Sequence, residues 1–71
     1  MVSDLVTSMT QVQFLLVIRA APGTANLVAR TIDESELEGV VGTVAGDDTI
    51  IVVLEADAAA DHVRRLLGAE S

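Results

Sequence analysis

Apolar residues recur along this chain at two different periods. In Val12 to Arg19 (VQFLLVIR), a period of two places Val12, Phe14, Leu16 and Ile18 on one face and Gln13, Leu15, Val17 and Arg19 on the other, which predicts a strand. Val2 to Met9 carries a fainter version of the same pattern, with Leu5, Thr7 and Met9 on one side. Ala21-Pro22-Gly23 breaks the run. Thr24 then stands where a helix cap belongs, its hydroxyl placed to accept an amide proton of the first turn. From there to about Ser35 the period becomes helical. Ala25, Val28 and Ile32 form a core stripe, and Asn26, Arg30 and Asp33 form a polar stripe that looks out in one direction, with Arg30 and Asp33 spaced as an i, i+3 pair.

The acidic tract Glu34, Glu36, Glu38 and then Gly39 turn the chain into a third strand, Val40 to Ala45, and a fourth, Thr49 to Glu55. A tight turn with Gly46 at positive φ joins them, so Asp47 and Asp48 sit at a hairpin tip. Asp57 is placed to cap a last helix over Ala58 to Leu67, with Ala59, Val63 and Leu66 inward and Asp61 within reach of Arg64 or Arg65. Gly68 closes that helix. The order ββαββα predicts an α+β two-layer sandwich: a four-stranded antiparallel sheet with two helices on one face, making one domain over residues 1–71.

One feature of the pattern does not fit a lone domain. Ile50 to Leu54 is apolar at every position and Val12 to Ile18 nearly so, whereas a half-solvated strand alternates. A chain of 71 residues buries only about 60% of its unfolded surface. Yet 51% of these residues are apolar and mean hydropathy is +0.54. With no cysteine there are no disulfides, and a single histidine, His62, makes a histidine-based metal centre a poor fit. The expectation is self-association through the open sheet face or its edges.

Charge narrows the partners. Eleven acids stand against four bases, all arginine, for a net charge of −7. Such a chain repels nucleic acid and anionic membranes and favours a cationic small molecule. No stretch reaches the roughly 20 apolar residues of a membrane span, and the N-terminus has no basic segment ahead of an apolar one, so a cytoplasmic protein is expected. Against that background, Asp47 and Asp48 in Gly42 to Thr49, GTVAGDDT, are the main chemical signal. Two adjacent carboxylates repel unless a cation is present. Three readings stay open on residues alone: a solvated turn, a site for a cationic ligand, or a calcium site, for which one short turn supplies too few of the 6–8 oxygens that calcium takes. No nucleophile, glycine-rich phosphate loop or second histidine accompanies His62, so an enzyme is not expected.

Ala21-Pro22-Gly23-Thr24-Ala25-Asn26, then Asp33, then GTVAGDDT, resemble the C-terminal domain of bacterial arginine repressors over nearly the whole chain. Members of that family carry a proline-glycine turn opening a helix with Gln or His near its start, an aspartate two turns on, and GTIAGDDT. Here Val44 replaces that isoleucine. The resemblance implies trimers that pair into hexamers, with L-arginine bound as corepressor where the trimers meet and no metal. Asp47 then matches the carboxylate that receives the guanidinium across the junction. Asp48, Thr43 and Thr49 match positions lining the pocket, and Asp33, Ala25 and Asn26 surround the amino-acid end of the ligand. Asn26 is one methylene shorter than the family's Gln, which leaves room for a water between side chain and ligand. The family's basic winged helix-turn-helix is expected to be missing from these acidic residues, so the chain reads as a domain excised from a longer protein, with operator DNA contacted only through that missing part. The alternative is a structural oligomerisation module of the same fold with weak or altered ligand binding.

Overall fold

A computed structural model describes residues 2–68. It has the expected two layers. A 3-10 turn, Val2–Leu5, leads into strands β1 (Val6–Val12) and β2 (Leu15–Ala20); helix α1 (Ala25–Glu34) follows, then strands β3 (Val40–Ala45) and β4 (Thr49–Leu54). A second 3-10 turn, Asp57–Ala59, runs into helix α2 (Ala60–Leu66). The sheet is antiparallel throughout, in the order β1-β2-β4-β3.

The registers explain which side chains are buried. Met9, Ile18 and Ile50 lie opposite one another across the sheet, as do Leu16, Val52 and Thr43. Leu16, Ile18, Ile50 and Val52 are fully buried, and the helices cover them with Ala25, Val28, Ala29 and Ile32 from α1 and Ala60 and Val63 from α2. The same registers place Val12, Leu15, Val17, Ile51, Val53 and Val44 together on the opposite face. Among the described residues no element covers that side, and Val44 remains 64% exposed, Val12 55% and Ile51 37%. A bulge in β3 leaves Val41 without a cross-strand partner and 69% exposed.

Several local expectations are corrected. The first strand begins at Val6 rather than Val2 and runs on to Val12, while the second starts only at Leu15. Gln13 and Phe14 form the hairpin turn between them, with Gln13 at φ 53°. Val12 and Phe14 are therefore exposed and not part of the core face. Thr24 does precede α1, but its hydroxyl donates to the Ala21 carbonyl at 2.6 Å and caps nothing. The first amides of the helix have other partners. Gly46 does not take a positive φ; that conformation falls at Gly23, Gly39 and Gly68. Gly39 (φ 82°) needs to be glycine twice over, because a Cβ there would lie 2.7 Å from Ala59 Cβ.

Asp57 makes no side-chain cap, since it opens a 3-10 turn and not the α-helix itself. Ala59 and Val63 are buried as expected, but the next buried position is Leu67, one turn on from Val63 and donating its N–H to the Val63 carbonyl at 3.0 Å, and Leu66 is exposed. Arg30 pairs with Glu34 at 3.0 Å, one turn along the helix, and not with Asp33. Asp61 does meet Arg64, at 3.6 Å.

Candidate ligand-binding site

The β3–β4 hairpin is bound to the rest of the fold through its backbone. Gly46 N–H donates to the Thr49 carbonyl at 2.8 Å and closes the loop. The Asp47 carbonyl accepts from Gly23 N–H at 3.1 Å and Ala25 N–H at 3.2 Å, and the Asp48 carbonyl accepts from Ala20 N–H at 2.8 Å. The hairpin tip thereby satisfies amides at the start of α1, the place where sequence had put the Thr24 hydroxyl. Three consecutive carbonyl-to-amide links of this kind fix the tip against both β2 and α1.

With the backbone held, the two aspartates separate into different roles. Asp48 Oδ1 accepts from Thr49 Oγ1 at 3.0 Å, and Asp48 Oδ2 lies 3.4 Å from Arg19 Nη2. The Thr49 hydrogen bond and then the Arg19 guanidinium hold the Asp48 carboxyl below its ordinary value. Asp47 is exposed, and its side chain has no hydrogen-bond or ion-pair partner among the described residues. The expected mutual repulsion of the pair is thus relieved within the chain, by a cation at one of its two members.

The remaining candidate residues fall on the helix side of β3. Asp33 accepts from Thr43 Oγ1 at 3.1 and 3.0 Å to its two carboxylate oxygens, tying the last turn of α1 to the middle of β3. Thr43 is four residues from Asp47, at most about 13 Å of extended chain. Asn26 is exposed in the first turn of α1, while Ala25 is fully buried and reaches the site only through its amide. The structure therefore brings Asp47, Asp48 and Thr49 together at the tip, Ala25 and Asn26 beside it, and Asp33 with Thr43 further along β3. Two recesses of the surface are lined by other residues. A recess of about 460 Å³ lined by Gln11, Gln13, Asp57, Ala58 and Asp61 is at the other end of β2. The tip thus presents the Asp47 carboxylate on the exposed surface of the chain.

The Arg19–Asp48 pair is not visible in the sequence pattern, where Arg19 only ends a strand face. The signal that could have found it is register: once β2 and β4 pair antiparallel, Arg19 falls opposite Thr49, next to Asp48.

Asp48 gives a prediction with a definite sign. Its folded value is depressed, so the stabilisation from its contacts with Thr49 and Arg19 is fully present above the unfolded value and is lost as pH falls through the folded value. Carboxyl-carbon NMR is expected to find Asp48 titrating below the ordinary aspartate range, and Thr49→Val is expected to move it upward.

The family model described as arginine repressor, C-terminal domain, matches residues 2–68. The chain belongs to the arginine repressor C-terminal domain family. An arginine repressor of Halothermothrix orenii is 47% identical over 53 residues, covering 75% of this chain and 35% of that protein. One from Symbiobacterium thermophilum is 51% identical over 55 residues (76% and 37%), and one from Desulfitobacterium hafniense is 43% identical over 61 (86% and 41%). The chain thus spans about a third of the length of the curated relatives it matches. These relatives carry a regulator's name. Among the described residues, no group of three or more His, Cys, Asp or Glu side chains could hold a metal, and no helix is long and apolar enough to cross a membrane.

Proposed function

We propose that this chain is the L-arginine-sensing oligomerisation domain of a bacterial, cytoplasmic transcriptional repressor of arginine metabolism, in which arginine acts as corepressor. Copies associate through the apolar sheet face as trimers, and two trimers pair as a hexamer with L-arginine between them. The observation that carries this reading is Asp47: an exposed carboxylate with no side-chain partner among the described residues, on a tip whose backbone is fixed by hydrogen bonds, within a segment that differs from the family's by one methylene. A guanidinium from the ligand fits a carboxylate through two parallel hydrogen bonds. Asp48, Thr43 and Thr49 line the same pocket, and Asp33, Ala25 and Asn26 surround the amino-acid end. A wall supplied by one copy is completed by the next. Operator DNA is contacted by another part of the full-length repressor, since a surface of net charge −7 repels phosphates.

Because ligand bound between trimers favours the hexamer, saturating arginine at about 100 times its dissociation constant stabilises that form by about 2.7 kcal/mol per site. Sedimentation velocity of the 71-residue chain with and without L-arginine is expected to show trimers converting to hexamers. A second reading, a structural association module with weak or altered ligand binding, is favoured by Asn26, whose side chain falls one methylene short of the family's glutamine. An oligomer unchanged by arginine, with no heat on titration, would establish that module and displace the sensor.

A further inference from the structure

The charge offered by the hairpin tip is set inside the chain. Asp48 has both carboxylate oxygens engaged, one by the Thr49 hydroxyl at 3.0 Å and the other by the Arg19 guanidinium at 3.4 Å. Arg19 is itself held in register, paired across β2 and β4 with Thr49, and the neighbouring Ala20 amide donates to the Asp48 carbonyl at 2.8 Å. Backbone and side chain thus fasten Asp48 to β2 at two points. Asp47 has neither kind of side-chain contact. Without Arg19 the tip would present two adjacent carboxylates with no cation beside them, and a site of that charge favours a dication or a metal ion. With Arg19 in place one negative charge is left over.

We propose that Arg19 is the specificity-determining residue of this site: by pairing with Asp48 it leaves Asp47 as the single free carboxylate and so matches the tip to one monocationic guanidinium side chain in place of a dication. The inference rests on the reading of Asp47 as the guanidinium acceptor. Its physical basis is charge matching in a site that closes on assembly, where an unmatched charge is costly. Arg19 acts through Asp48 and need not touch the ligand.

The test compares wild type, Arg19→Gln and Arg19→Lys by calorimetry with L-arginine and with agmatine, the analogue that lacks the α-carboxylate and carries two positive charges. Losing one compensating charge at this distance is expected to lower the arginine-to-agmatine affinity ratio roughly tenfold in Arg19→Gln. Arg19→Lys keeps the charge and is expected to recover most of the ratio, which a purely structural role for the side chain would not produce. Arg19 is half exposed, so both variants are expected to fold. A ratio in Arg19→Gln equal to that of wild type overturns the proposal. If wild type gives no heat with L-arginine, the reading of the tip as an arginine site is what fails. In that event carboxyl-carbon NMR of Asp48 decides separately whether Arg19 holds it: a midpoint that rises in Arg19→Gln supports the charge assignment, and one that stays put removes it.

Discussion

Asp47→Asn is expected to abolish measurable L-arginine binding while leaving the fold and the free oligomer intact. Asparagine keeps the shape of the side chain and the turn preference of the position but presents one acceptor oxygen, one amide donor and no charge. A guanidinium that meets it trades two charge-assisted hydrogen bonds for one neutral contact and a clash of donors. Charge-assisted bonds are worth about 1.5–3 kcal/mol each and a neutral one about 0.5–1.5 kcal/mol, so the loss centres on about 3.5 kcal/mol, roughly a few hundredfold in affinity. The fold has no stake in that side chain. Asp47 is exposed, and it is its backbone carbonyl, unchanged by the substitution, that accepts from Gly23 and Ala25. Calorimetry supplies the binding result, and circular dichroism with sedimentation supplies the control. A folded Asp47→Asn chain that still binds arginine normally would remove Asp47 from the site.

The layers of this fold were legible in sequence because burial enforces a period. Leu16 and Ile18 alternate with Leu15 and Val17, and each face of β2 is indeed shared by alternate residues. Val28 and Ile32 sit four apart and both meet the sheet. The β1–β2 turn was illegible for the complementary reason. Gln13 and Phe14 have no turn chemistry, and the alternation of VQFLLVIR runs through them without a break. Register pairing across Val12 and Leu15 puts the turn there at the cost of a strained, positive φ at Gln13. Local pattern cannot report a turn that is imposed by partner strands.

The same limit separates what was and was not visible at the site. Asp47 and Asp48 announced themselves as neighbours in sequence, yet what distinguishes them is a contact to Arg19, 29 residues away. Asp33 and Asn26 were placed on one helix face correctly, both exposed, but the hydrogen bond from Thr43 to Asp33 links a helix to a strand that no helical spacing can foresee. Conversely, the expectation of a shared polar stripe led to Arg30 pairing with Asp33, whereas the straighter reach along the helix is to Glu34. Side-chain pairing is decided by geometry between elements, and sequence spacing speaks only within one.

Ile51→Asp is expected to dissociate the oligomer into single chains of 7.4 kDa without unfolding them. Ile51 is the centre of the uncovered face, opposite Val17 on one side and Val44 on the other. In a lone chain it is already 37% exposed, so a carboxylate there keeps its water; lost packing and strand preference cost about 1–2 kcal/mol. A domain of this length has roughly 4–11 kcal/mol in hand. In an assembly that buries the face, every copy would bring an unpaired carboxylate into an apolar contact, and each carries a desolvation penalty of several kcal/mol. Those penalties add at each interface while the penalty to folding is counted once, so assembly fails first. Ile51→Ala, which removes apolar area but adds no charge, is expected to weaken association without abolishing it. Sedimentation of the two variants beside wild type, with circular dichroism to confirm the fold, makes the comparison. An Ile51→Asp oligomer of unchanged size would move the contact between copies to the helices or the free edges of β1 and β3, and the tip bearing Asp47 would then have to find its opposite wall from a different direction.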